Sequence, residues 1–135
     1  MYKNKTVAVV ILCYNEEMQI SDVIASIPLY IDRIIVVDDA STDNTFSVAN
    51  SIKLKNNKVT ILSHDKNQGC GGALATGYKY VRDNNIDIAV RMDGDGQMLS
   101  RDLELITLKE IDFFQVRRTK KYLKYDILAI QSYLY

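Results

Sequence analysis

A chain of 135 residues is long enough for one domain with a buried core, and 47% apolar with 25% charged residues is ordinary globular composition. Net charge is zero, so no global attraction draws the chain to nucleic acid, and no nucleic-acid partner is expected. The single histidine, His64, excludes schemes that need a histidine dyad or several histidine ligands. Cys13 and Cys70 have neither metal-ligand nor C-x-x-C spacing, and neither end reads as a signal peptide or a bilayer-length apolar stretch. The expectation is a cytoplasmic protein with reduced thiols.

Thr6 to Cys13 (TVAVVILC) is a continuous β-branched apolar run and predicts a strand buried on both faces. Ile20, Val23, Ile24 and Ile27 recur at helical spacing, with Pro28 just beyond them. Arg33 to Val37 reads as a second strand. Ser41 and Thr42 offer an N-cap to a helix from Thr45 to Leu54 that turns Phe46, Ala49 and Ile52 to the core. Val59 to Ser63 is a third strand. Gly69 to Gly72 then opens a helix to Asn84, with Leu74, Gly77, Tyr78 and Val81 on one face. Ile86 to Met92 is the fourth strand. After Gln97 the pattern weakens to a helix over Asp102 to Glu110 and a strand over Ile111 to Val116. Residues 120–135 place Leu123, Ile127, Ile130 and Leu134 on one helical face.

Strands and helices alternating at this spacing predict right-handed crossovers and a mostly parallel sheet flanked by helices. Ligands of such sheets bind beyond the carboxyl ends of the strands. The polar clusters fall at those ends: Tyr14 to Glu17, Asp38-Asp39, Asp65 to Asn67, and Asp93 to Gln97. Asp93-Gly94-Asp95 offers two carboxylates one residue apart, which suits a hard divalent cation completed by substrate phosphates, or is a solvated turn. A dinucleotide fingerprint fails because Leu74 stands where its third glycine belongs, and no G-K-[ST] of a P-loop exists. An EF-hand loop from Asp93 fails because Met98 replaces the turn glycine.

YNEE at 14–17, VVDDASTDNT at 36–45, NQGCGGALATG at 67–77 and RMDGDGQ at 91–97 together resemble the family 2 glycosyltransferases of GT-A fold, nearest the polyprenyl-phosphate (dolichyl-phosphate) sugar synthases. The resemblance covers roughly the first three-quarters of the chain. It implies a GT-A-like, Rossmann-like sheet and a UDP- or GDP-sugar donor near Leu12, Tyr14 and Glu16, with Asp39 accepting from base or ribose and Val37 lining the slot. Asp38 would brace the Ser41-Thr42 turn. Asn67 and Gly71 would lie where a loop approaches the nucleotide, and Gly77 would serve helix–sheet packing. Asp93 and Asp95 resemble the family's metal-binding acid pair for Mg2+ or Mn2+, with Gly94 between them and Gln97 near the donor sugar. Arg118 falls where many members place an arginine.

The resemblance further implies inverting transfer to a polyprenyl phosphate or glycan acceptor in cell-envelope polysaccharide synthesis. Residues 1–118 are read as the nucleotide-sugar-binding domain and 119–135 as a basic amphipathic segment unmatched to the family. The catalytic base is expected in an acceptor half that the chain lacks, as in a truncated product. The alternative is an inactive nucleotide-sugar-binding remnant. Arg117 to Lys124 could steer an anionic acceptor, contact the inner membrane face, or be a solvated helix face. An under-covered sheet edge would favour self-association. Cys70 is read as structural rather than reactive, and His64 as a polar strand-end residue rather than a base.

Overall fold

Strand β1, Val7–Cys13, runs through the middle of the sheet and is buried along its whole length. In the computed structural model, residues 4–97 and the strand at 128–130 are described. After β1 come α1 (Ile20–Ser26), β2 (Arg33–Asp38), α2 (Thr45–Lys53), β3 (Val59–Ser63), α3 (Gly69–Asp83), β4 (Ile88–Asp93) and β5 (Leu128–Ile130). Among the described residues the order is β3-β2-β1-β4-β5, all neighbours parallel. The expected doubly covered α/β sheet is therefore present.

The alternation of β1 divides the core. Val7, Val9, Ile11 and Cys13 pack with α1, Ile34, Val36 and Ala49 on one face. Ala8, Val10 and Leu12 pack with Ile35, Val37 and the Ala73 and Val81 side of α3 on the other. On that second face α3 lies very close to the sheet at Gly77. A Cβ placed on Gly77 would sit 2.3 Å from Val10 Cγ1 and 3.4 Å from Val37 Cγ2. The expected packing role of Gly77 is seen directly.

Three expectations need correction. Helix α2 buries Thr45 and Ala49 and leaves Phe46 exposed. Thr45 fixes that rotation: its hydroxyl donates to Asp43 Oδ1 and accepts from the Glu16 N–H at 2.8 Å. Nor do Ser41 and Thr42 cap α2; the cap residue is Asn44, and Asp43 Oδ1 takes the Thr45 N–H at 2.9 Å. Residues 128–130 form β5, not helix, in register with Ile88 to Val90. A short apolar run has no period that separates strand from helix, and the edge of β4 offers backbone partners. The first half of that edge is consequently paired. The helix expected at 102–110 and the strand at 111–116 lie outside the described residues, as does the basic stretch at 117–124. Among the described residues no helix is long and apolar enough to cross a membrane.

Ala40 adopts a left-handed backbone, φ 61°, a conformation costly for a residue with a Cβ. Its neighbours enforce it: the Asp39 N–H bonds the Cys13 carbonyl at 2.9 Å, and the Ser41 N–H bonds Asp38 Oδ1 at 3.3 Å. Ala40→Gly is expected to raise stability by about 1 kcal/mol, the strain relieved outweighing the added unfolded-state entropy. The midpoint of denaturant unfolding at constant slope checks this, and an unchanged or lowered midpoint contradicts it.

Candidate nucleotide-binding site

The chain steps outward from β1 through β2 to β3 and then returns through α3 to the other side of β1 as β4. That reversal opens a crevice at the carboxyl ends of the strands. Register brings the strand ends level, with Leu12 opposite Val37 and Asp93, and Cys13 opposite Asp38. The ladder continues one step past the strands: Gly94 N–H to Leu12 O at 2.8 Å, Asp39 N–H to Cys13 O at 2.9 Å, His64 N–H to Asp38 O at 2.9 Å. The approach at Gly94 is close, since a Cβ there would meet Cys13 Sγ at 2.8 Å and Leu12 O at 3.0 Å.

In the crevice lies a cleft of ≈ 320 Å³ lined by Leu12, Cys13, Tyr14, Glu16, Asp39, Cys70, Ala73, Asp93, Gly94 and Asp95. Seven of the expected site residues, Leu12, Tyr14, Glu16, Asp39, Asp93, Gly94 and Asp95, are thus brought together. Val37 is not in the wall; it is fully buried beneath Gly77. Asn67 and Gly71 are exposed beside the start of α3, and Gln97 is exposed beyond the acid pair. The Asn67 side chain accepts the Gly69 N–H at 2.9 Å, and a Cβ on Gly71 would find open space. Arg118 lies outside the described residues. Cys70 and Ala73 enter the wall because α3 begins at the cleft mouth, a placement that only the tertiary fold supplies.

A clasp joins the two loops on the β1–β2 side. Asn15, at φ 52°, accepts the Thr42 N–H at 2.8 Å and the Asp43 N–H at 3.3 Å through Oδ1, while its own N–H donates to Ser41 Oγ at 3.0 Å. The Asn44 N–H donates to Glu17 Oε2 at 3.0 Å. Asp38 Oδ1 accepts from the Ser41 hydroxyl and N–H, so its expected bracing of that turn is observed.

The acids differ in their partners. Burial works against the charge on Asp39, but the Gln68 N–H, His64 and the Gly69 N–H outweigh it and hold its carboxyl below the usual range. Asp93 Oδ1 pairs with Arg91 Nη2 at 3.2 Å, along one face of β4. Asp95 Oδ1 accepts the Gln97 N–H at 3.0 Å, closing a short turn. Burial, then the charges of Asp95, Asp43 and Asp93, push the Glu16 carboxyl up. Burial likewise raises the Cys13 thiol, with Asp38, Glu16 and Asp93 adding to it, so this sulfur is an inert wall atom.

No group of three or more histidine, cysteine or acidic side chains among the described residues forms a metal cage. Two neighbouring carboxylates with phosphate oxygens to complete the shell suit magnesium or manganese better than a cage would. Crowding of Glu16 by Asp93 and Asp95 is repulsion that a cation would relieve. The donor set fits such an ion.

Comparison with known proteins agrees with this geometry. The sequence is 35% identical over 113 residues to the UDP-N-acetylglucosamine–dolichyl-phosphate N-acetylglucosaminyltransferase of Methanococcus voltae, covering 74% of this chain and 45% of that protein. It is 30% identical over 118 residues to the undecaprenyl-phosphate mannosyltransferase of Micrococcus luteus, covering 78% and 46%. The chain therefore spans less than half the length of these relatives. Among solved structures, a mannosyltransferase from Pyrobaculum calidifontis in complex with GDP-Man and Mn2+ aligns with TM-score 0.62 at 26% identity, over 69% of this chain and 28% of that one. The Mycobacterium tuberculosis glucosyl-3-phosphoglycerate synthase, in complex with Mn2+, UDP and glucosyl-3-phosphoglycerate, aligns with TM-score 0.54 at 30% identity, over 67% of this chain and 34% of that one. The sequence model described as glycosyl transferase family 2 matches residues 8–111, and with the GT-A-like sheet and its strand-end cleft in place, the chain belongs to that family.

Proposed function

We propose that this chain carries the nucleotide-sugar-binding part of a glycosyltransferase that uses a UDP- or GDP-sugar and transfers to a polyprenyl phosphate or glycan acceptor with inversion. The observation that carries this is one cleft joining an aromatic ring, a buried low-pKa carboxylate and an acid pair: Tyr14, Asp39, and Asp93 with Asp95. Tyr14 and Leu12 offer apolar surface to the base, and Asp39 offers an acceptor to its N–H groups or to ribose. Asp93 and Asp95 would hold Mg2+ or Mn2+, which would neutralise the diphosphate as charge builds on the leaving group. Asn67, Gly71 and Gln97 flank the cleft where a bound donor extends past it. Polyprenyl phosphate is favoured as acceptor because the two curated relatives act on dolichyl and undecaprenyl phosphates by name.

Calorimetry on the full chain tests this directly. UDP or GDP should bind, and more tightly with Mn2+ or Mg2+ than with chelator. No binding of either nucleotide with metal present overturns the proposal. Sugar transfer to a polyprenyl phosphate then distinguishes a working transferase from a domain that only binds the donor.

A further inference from the structure

The histidine expected to be a strand-end residue does more than end a strand. His64 follows β3, and its ring reaches across to Asp39, which follows β2, with Nδ1 2.7 Å from Oδ1. Both side chains are 6% exposed. On the far side of the ring, Nε2 lies 2.8 Å from Thr76 Oγ1 on α3. The Thr76 hydroxyl also reaches the Gly72 carbonyl oxygen at 3.1 Å. The Gln68 N–H meets the same Asp39 oxygen at 2.8 Å.

We propose that His64, clamped by Thr76, is the positioning residue that orients Asp39 toward a bound nucleotide. The inference rests on the nucleotide-binding proposal above. Asp39 is a carboxylate held below its usual range, so at this contact it can only accept, and Nδ1 must carry the hydrogen. A neutral ring then accepts the Thr76 hydrogen at Nε2. A protonated ring donates there instead, and the hydroxyl turns its hydrogen to Gly72. The rotating hydroxyl keeps Nδ1–H aimed at Asp39 in both states. With Oδ1 held by His64 and Gln68 and the Gly69 N–H also acting on the carboxyl, the carboxylate is fixed in rotation in the wall of the cleft. Without the clamp, Asp39 would have to be ordered at the moment of binding, which weakens affinity.

The test compares His64→Ala, His64→Asn and Thr76→Val in the full chain by calorimetry with UDP and GDP in Mn2+, beside thermal unfolding of each variant. An asparagine amide N–H can stand where Nδ1–H stood, but it cannot reach Thr76. His64→Ala should bind about tenfold more weakly, the loss of one charge-assisted hydrogen bond. His64→Asn should recover most of that affinity although its stability matches that of His64→Ala. Thr76→Val should bind about threefold more weakly. Imidazole 15N spectra of the unliganded wild type should show a proton on Nδ1, a readout that needs no nucleotide. Undiminished affinity in His64→Ala, an asparagine variant as weak as the alanine one, or a bare Nδ1 would each overturn the inference while leaving nucleotide binding intact. Failure of the wild type to bind either nucleotide overturns the binding proposal as well.

Discussion

Gly77→Ala is expected to destabilise the protein by about 2 kcal/mol, against the direction that helix propensity alone would give. In an isolated helix the exchange gains up to about 1 kcal/mol. Here the new methyl would stand 2.3 Å from Val10 Cγ1, on a fully buried side chain in the central strand. Val10 has no space to retreat into, because interiors are packed to crystal density, so α3 must move off the sheet or Val10 must leave its rotamer. Either cost exceeds the propensity gain. Adding Val10→Ala removes the atom in the way, so the double variant should be more stable than the sum of the two single changes, by about 1 kcal/mol or more. Denaturant midpoints of the four proteins give this coupling. Additive effects would mean that α3 is not seated on Val10.

Asp95→Asn is expected to abolish the metal dependence of nucleotide binding while leaving the fold unchanged. The asparagine carbonyl can still accept the Gln97 N–H that closes the turn, so the substitution removes charge rather than shape. Asp93 is less able to act alone, because one of its oxygens already faces the Arg91 guanidinium. Asp39→Asn should instead weaken binding with and without metal, by about tenfold, because on the proposed function its carboxylate meets the nucleotide rather than the ion. Calorimetry with UDP and GDP in Mn2+ and in chelator separates the two patterns. An Asp95 variant that keeps the full metal effect would reduce Asp93 to Gly96 to a turn.

Most of the sheet is legible in the sequence because β-branched runs buried on both faces leave little else to form; β3 and the start of α3 fall where they are expected. The acid pair and Asp39 are legible for a different reason, as they sit beside strand ends whose location follows from the runs. What the sequence conceals is lateral. Asn15 finds Thr42 and Asp43, and His64 finds Asp39 and Thr76, across loops that only the finished sheet brings together. Val37 shows the same limit, since a continuous apolar run does not reveal which member reaches the mouth and which lies beneath a glycine. Phe46 fails because Thr45, whose hydroxyl is held by the Glu16 N–H and by Asp43, rotates α2 away from the orientation its apolar spacing suggests. The strand at 128–130 is hidden by its brevity.

Gathering Glu16, Asp39, Asp93 and Asp95 around one cleft has a kinetic side. A nucleotide diphosphate approaching alone meets a mouth of its own sign, at distances where charges still act through physiological salt. A cation meets attraction. On the proposed function, the donor is therefore admitted as a metal complex or after the ion, and the order of arrival is set by Coulomb's law before any hydrogen bond is made.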